Sequence, residues 1–245
     1  MFFSKKKPSA AYDPAVQRPA LRCSICTGEQ VAGFVHPDGH FEDVQLIRTP
    51  QELAAFRTRY GIDVSSFQGE IDWDAVADDN IDFAMVRVGF RGTGTGSLNT
   101  DKYYEQNIRG AMRAGLETGV YFFAQAVTVE EAIEEADYVI SLLDGLDING
   151  PVAYDWEMHD STYRVYGTSP EMATACAVAF CERIKDAGYT PMVYGGTYVT
   201  YMKYDQGALA DYLSWYPEYK SEKSEKLCPT LVYHMDYWQY SSKCS

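Results

Sequence analysis

The chain has 245 residues, 35 acidic side chains against 21 basic ones, a formal net charge of −14 and a pI near 4.6. With 46% hydrophobic and 23% charged residues, the composition is that of a globular protein rather than a disordered one. No run of about 18 apolar residues occurs, so no membrane span is expected, and the acidic surplus argues against nucleic acid as a partner, because phosphate binding needs excess Lys and Arg. The charge is uneven. Residues 1–59 hold eight basic and six acidic side chains, leaving 13 and 29 for residues 60–245. Tyrosine divides the same way, with Tyr12 in the first segment and the other 19 from Tyr60 onward. Two segments of different character are the natural reading, a small unit over 1–59 and a body over 60–245.

The first segment opens MFFSKKKPSAAYDP, which lacks the apolar stretch of a secretory signal. Synthesis in the cytoplasm is therefore expected. Residues 1–20 read as extended or disordered, and residues 21–47 as short strands around the turn Pro37-Asp38-Gly39. Thr49-Pro50-Gln51-Glu52 resembles a helix start, giving a helix to about Arg59. Cys23, Cys26, His36 and His40 form C-x2-C-x9-H-x3-H, near a zinc pattern but with a short middle spacer. Because Pro37 and Gly39 place the histidines in a turn, ordinary thiols and surface histidines are the favoured reading, with a structural zinc site as the minor alternative. Cys176 and Cys181 read as free core thiols. Cys228 and Cys244 could pair, against the expectation for a reducing compartment.

From Tyr60 strand-like runs alternate with helical ones. Strands are expected at 61–65, 82–89, 119–125, 151–157, 190–196, 211–219 and 230–240. Helices are expected near 73–79, 100–117, 129–144, 169–188 and 206–211, with Ser169-Pro170 as one start. This βα rhythm predicts a parallel sheet closing toward a barrel, irregular at its end because little helix separates the last strands. In such a barrel the active site lies at the C-terminal ends of the strands. There the fourth strand ends Tyr154-Asp155-Trp156-Glu157, and period two puts both carboxylates on one face. Like charges so close cannot both ionise comfortably, so one can serve as an acid, as glycosidic cleavage requires. An acidic, Tyr-rich body suits carbohydrate. Taken alone, however, a D-x-E is an ordinary surface pair more often than a site.

The whole body is more specific. GIDVSSFQGEIDW at 61–73, FAMVRVGFRG at 83–92, the run from Asp101 to GVYFFA, PVAYDWE at 151–157 and WQYSS at 238–242 stand in one order. Together they resemble the glycoside hydrolase family 25 lysozymes, the Chalaropsis-type N-acetylmuramidases, over residues 61–240. The resemblance implies an α/β fold, an irregular TIM-like (β/α)5(β)3 barrel. The last family strand and its acidic residue have no counterpart before Ser245. The small N-terminal α+β extension lies outside the family pattern.

It further implies cleavage of the β-1,4 bond between N-acetylmuramic acid and N-acetylglucosamine, with peptidoglycan glycan strands as partner, no cofactor, and action at the bacterial cell wall. Glu157 matches the general acid, Asp155 the partner that orients the acetamido group or stabilises charge, and Asp63 an acidic neighbour. Tyr121, Tyr154, Tyr194, Trp215, Trp238 and Gln239 are candidates for the sugar-binding wall, with core packing as the alternative for each aromatic. Arg87 is expected to be a buried partner for a carboxylate, Asp72 and Trp73 to cap and pack a helix, and His159 and His234 to lie at the surface or behind the site. A catalytically weak peptidoglycan-binding protein is the alternative function.

Overall fold

The computed structural model describes residues 18–23, 30–48, 59–79, 81–219, 231 and 233–242. The expected helix at 49–59 (apart from Arg59), Cys26, Cys228 and Cys244 lie outside these residues. The chain divides into two compact units, the larger comprising Arg59–Tyr219 and Thr230–Ser245.

In the smaller unit, β1 (Arg18–Cys23), β2 (Gln30–Val35) and β3 (Phe41–Ile47) form an antiparallel sheet of their own in the order β1-β2-β3. The β2–β3 turn spans Pro37-Asp38-Gly39 as expected, with Gly39 at φ +80°. Ala32, Phe34 and Ile47 are its buried apolar residues.

The larger unit is built on a parallel sheet. Its path is β4 (Gly61–Val64), β5 (Phe83–Arg91), β7 (Glu117–Ala124), β8 (Val152–Trp156), β9 (Pro191–Tyr194), β10 (Leu213–Pro217) and β11 (Tyr237–Gln239). Every neighbouring pair along it is parallel. The short strand β6 (Leu98–Thr100) pairs antiparallel with the end of β5 and was not expected. The seven path strands correspond to the seven anticipated, although the last shrinks from 230–240 to three residues.

Helices α1 (Trp73–Asp78), α2 (Tyr104–Arg113), α3 (Val129–Leu142) and α4 (Pro170–Asp186) fall where the pattern placed them. Asp72 caps α1 by accepting the Ala75 N–H, and Thr128 and Ser169 cap α3 and α4 in the same way. Trp73 is buried, and its indole lies against Gly110 so closely that no larger residue fits there without movement. The helix expected at 206–211 is a series of turns. A helix forms instead at α5 (Thr197–Met202), directly after β9. Gly207 and Asp205 explain the difference, since the Asp205 carboxylate accepts the Gly207 N–H in a local turn that competes with helix.

The sheet separates two apolar layers. Its outer face meets α2, α3 and α4 through Val152, Tyr154, Trp156, Val120 and Phe122, with Cys176 and Cys181 buried and free on α4. Its inner face gathers Met85, Ala153, Met192, Tyr194 and Trp215, with Phe83, Tyr121, Leu213 and Tyr237 around them. The sheet curls so far that its two outermost path strands meet through side chains. Gln239 of β11 donates to Asp63 of β4 at 2.9 Å, and beside them the rings of Phe83 on β5 and Tyr237 on β11 meet edge to face at 5.2 Å. No backbone ladder joins β11 to β4 among the described residues. The architecture is thus a curled parallel half-barrel with helices outside.

Candidate active site

All path strands run in one direction, so their C-terminal ends share one rim. β8 supplies its centre. Alternation sends Val152, Tyr154 and Trp156 outward to the helices and Ala153 and Asp155 inward. Glu157, one residue past the strand, keeps the parity of Asp155, and the two carboxyls are hydrogen-bonded to each other. Asp155 is buried, and burial followed by the nearby Glu157 charge holds its carboxyl well above the usual range. Its Oδ1 atom has no hydrogen-bond partner. Glu157 is more open, with 24% of its side chain exposed, and its Oε2 lies 2.7 Å from His159 Nε2. The Glu157 backbone is fixed from behind by Gln125, whose Nε2 donates to the Glu157 carbonyl at 2.8 Å.

Asp63, on the first strand of the path, completes the acidic group. Burial raises its carboxyl, opposed by the Gln239 amide. Its charge also reaches Asp155, pushing that group further up, while Arg87 acts in the opposite sense. Arg87 makes a two-point contact with Asp101, Nε at 2.9 Å and Nη2 at 2.8 Å from Oδ2. Burial would raise Asp101, but N–H groups of Ser66 and Tyr103 and the Arg87 guanidinium outweigh it and hold the carboxyl low. Arg87 is therefore the carboxylate partner that its central strand position suggested, although it is half-buried and Asp101 is the fully buried member.

Several expected wall residues reach the pit. Tyr194 stands beside it, its hydroxyl 3.2 Å from Gln239 Oε1, and the neighbouring Asp155 and Glu157 charges add to burial in raising its phenol. Tyr121 is likewise raised by burial and by Asp155 and Asp63. Trp215 lies lower, packed edge-on against both tyrosines at 5.9 and 4.9 Å, and forms floor rather than wall.

Two expected residues point elsewhere. Tyr154 has the outward parity of β8, is fully buried and packs on Phe180 of α4 at 4.8 Å. Trp238 alternates with Gln239 on β11, and its indole donates to the Glu218 carbonyl at 3.0 Å. Like the other candidates, both lie near strand ends, and strand parity turns these two away from the pit.

Sequence reasoning also passed over Asp101, Gln125 and Tyr219. Tyr219 donates to Gln239 at 2.8 Å, and its phenol is raised by burial and then by Asp63 and Glu157. Arg87, a charge in the middle of strand β5 that requires an anion, was the signal that could have found Asp101.

Among the described residues, Cys23, His36 and His40 do not come together as a zinc site, and Cys26 lies outside them. Cys23 pairs with Gln30 at one end of β2, while His36 follows Val35 at the other, about 16 Å further along the strand. His36 contacts Glu42 at 2.9 Å. No group of three or more potential metal ligands occurs among the described residues. His159 and His234 are both well exposed, and His234 meets Asp236 at 3.0 Å.

Comparison with known proteins follows this geometry. Residues 62–245 match the sequence model of glycosyl hydrolases family 25. An autolytic lysozyme of Clostridium acetobutylicum is 26% identical over 164 residues, 66% of this chain and 46% of that protein. Lysozyme M1 of Streptomyces globisporus is 30% identical over 112 residues, 44% of this chain and 36% of its own length. The aligned region is thus less than half of either relative. Among solved structures, the bacterial lysozyme from Streptomyces coelicolor superposes with a TM-score of 0.60 at 24% identity, covering 77% of this chain and 86% of that one. The modular autolysin LytC from Streptococcus pneumoniae, in complex with a synthetic peptidoglycan ligand, gives 0.63 at 21% identity, covering 86% and 52%. With three quarters of its length matched by one family's sequence pattern, this chain belongs to glycosyl hydrolases family 25.

Proposed function

We propose that the chain is a peptidoglycan hydrolase that cleaves the β-1,4 bond between N-acetylmuramic acid and N-acetylglucosamine, with Glu157 as general acid. The observation that carries this reading is the Asp155–Glu157 pair, two hydrogen-bonded carboxyls of which one is buried and the other opens to solvent. Burial and the nearby Glu157 charge hold the Asp155 carboxyl well above the usual range. Glu157, at the mouth, is the member a glycosidic oxygen can reach. Family membership and the lysozyme relatives support the reaction class, and the (β/α)5(β)3 description of the barrel belongs to the same proposal.

In the proposed step Glu157 gives its proton to the leaving oxygen as the bond from the anomeric carbon breaks. The substrate acetamido oxygen then attacks that carbon, forming a cyclic intermediate. The unpartnered Oδ1 of Asp155 suits the acetamido N–H, orienting the group and stabilising its growing positive charge. Water afterwards opens the ring and loses its proton to the Glu157 carboxylate, giving retention without an enzyme nucleophile. The contact between Asp155 and Glu157 supports this route, because an enzymic nucleophile would stand about 5 Å from the acid. Asp63 adds negative potential beside the developing cation. Tyr121, Tyr194 and Gln239 are proposed to bind sugar.

The test is clearance of bacterial cell walls with chemical identification of the new reducing end. The wild type should expose N-acetylmuramic acid ends, and E157Q should lose about 10²–10⁴ of the rate. Binding of walls without clearance by either form would favour the catalytically weak binding protein instead.

A further inference from the structure

Phe67 is the most exposed large hydrophobic side chain among the described residues, at 84%. It occupies a single 3-10 turn, Ser66–Gln68, just past the rim end of β4. The turn is tightly held. Ser65 Oγ accepts the Phe67 N–H at 3.2 Å, and Gln68 Oε1 accepts the Ser65 N–H at 2.8 Å. Asp101 accepts the Ser66 N–H at 2.9 Å, and Arg87 Nη2 donates to Ser66 Oγ at 3.2 Å. The Arg87 guanidinium carbon lies 4.9 Å from the Phe67 ring centroid, backing one face. A large apolar ring is thus fixed in place with most of its surface in water. It lies four positions on from Asp63, so the two Cα atoms are within about 14 Å.

We propose that Phe67 is a stacking platform for a neutral sugar unit of the same glycan whose scissile bond is held at Asp155 and Glu157. The inference rests on the hydrolytic reading for the position of that bond. A pyranose presents a flat face of C–H groups, and laying it on the ring removes apolar surface of both partners from water. The turn is ordered before binding, so little conformational entropy is lost. Charge selects between the two parts of peptidoglycan. The formal charge of the chain is −14, and Asp63 lies within that distance of Phe67, which disfavours the carboxylates of a stem peptide and leaves a neutral sugar as the fitting occupant.

The test uses the full chain carrying E157Q, so that cleavage does not consume the probe, and glycan strands stripped of their peptides. Adding F67A should weaken binding about tenfold, F67W should restore it, and F67L, apolar without a ring face, should not. Thermal midpoints should agree across the set, since the side chain is exposed. Equal binding by the F67A form, full binding by F67L, loss seen only on peptide-bearing strands, or no binding by E157Q itself would each overturn the platform. If the chain with Glu157 intact releases no reducing ends while F67A still weakens binding, the hydrolytic reading fails and the platform stands.

Discussion

Asp155 and Glu135 are both buried carboxylates of the same half-barrel, and their surroundings are opposite. Glu135, on α3, meets the Arg91 guanidinium at 2.8 Å and accepts the Gln125 N–H at 3.0 Å. Burial pushes it up to about 7 in spite of both partners. Arg91 is itself satisfied by Glu134, the Gly96 carbonyl and the Glu131 carbonyl. Asp155 has no cation in contact. Its hydrogen-bonded neighbour is another acid, and one of its oxygens has no partner. Each keeps one buried oxygen without a partner, Glu135 Oε2 and Asp155 Oδ1, so the difference lies in the neighbours: Glu135 has a cation and an N–H beside it, while Asp155 has another acid. Uncompensated burial of that kind marks groups kept for binding or chemistry. Asp101, locked to Arg87 with its carboxyl held low, falls on the structural side although it stands near the pit.

The contrast can be broken most severely at Glu135. E135A strands Arg91 with Glu134 as its remaining carboxylate, and unfolding free energy should fall by about 3 kcal/mol in denaturant titration. Gln125 joins the two regions, with its N–H on Glu135 and its side-chain amide on the Glu157 carbonyl. Q125L should cost about 1–2 kcal/mol from the unpaired carbonyl. It should also lower kcat more than it changes KM, because Glu157 loses its backing.

The smallest expected effect has the opposite sign. Asp155 is raised in the fold, so its contribution to stability is full below its unfolded value and is lost as pH rises through the folded one. Asn cannot ionise. D155N should therefore melt a few degrees higher than wild type at neutral pH, converge with it toward about pH 4, and be inactive throughout. A D155N melting point below wild type at neutral pH would place Asp155 with Glu135 among the structural charges.

Much of the site was legible because it is local. Asp155 and Glu157 share a face through strand period alone, and Ser169-Pro170 and Asp72 start helices through their own capping chemistry. Tyr154 was misplaced because adjacency to Asp155 says nothing about parity, and even positions of β8 face the helices. Trp238 shows the same rule on β11. The false helix at 206–211 and the true one at 197–202 differ by a side-chain turn at Asp205 that apolar spacing does not register.

By itself the sequence determined the strand and helix rhythm, the paired carboxylates and the family, since these depend on neighbours a few residues apart. Only the tertiary structure decided which carboxyl is sealed and which is open, that Gln239 reaches Asp63 from the far end of the sheet, that Gln125 holds Glu157 from behind, and that Phe67 stands exposed at the rim. Burial and long-range contact set those properties. Asp63 and Gln239 are 176 residues apart, and only the curl of the sheet brings them within a hydrogen bond.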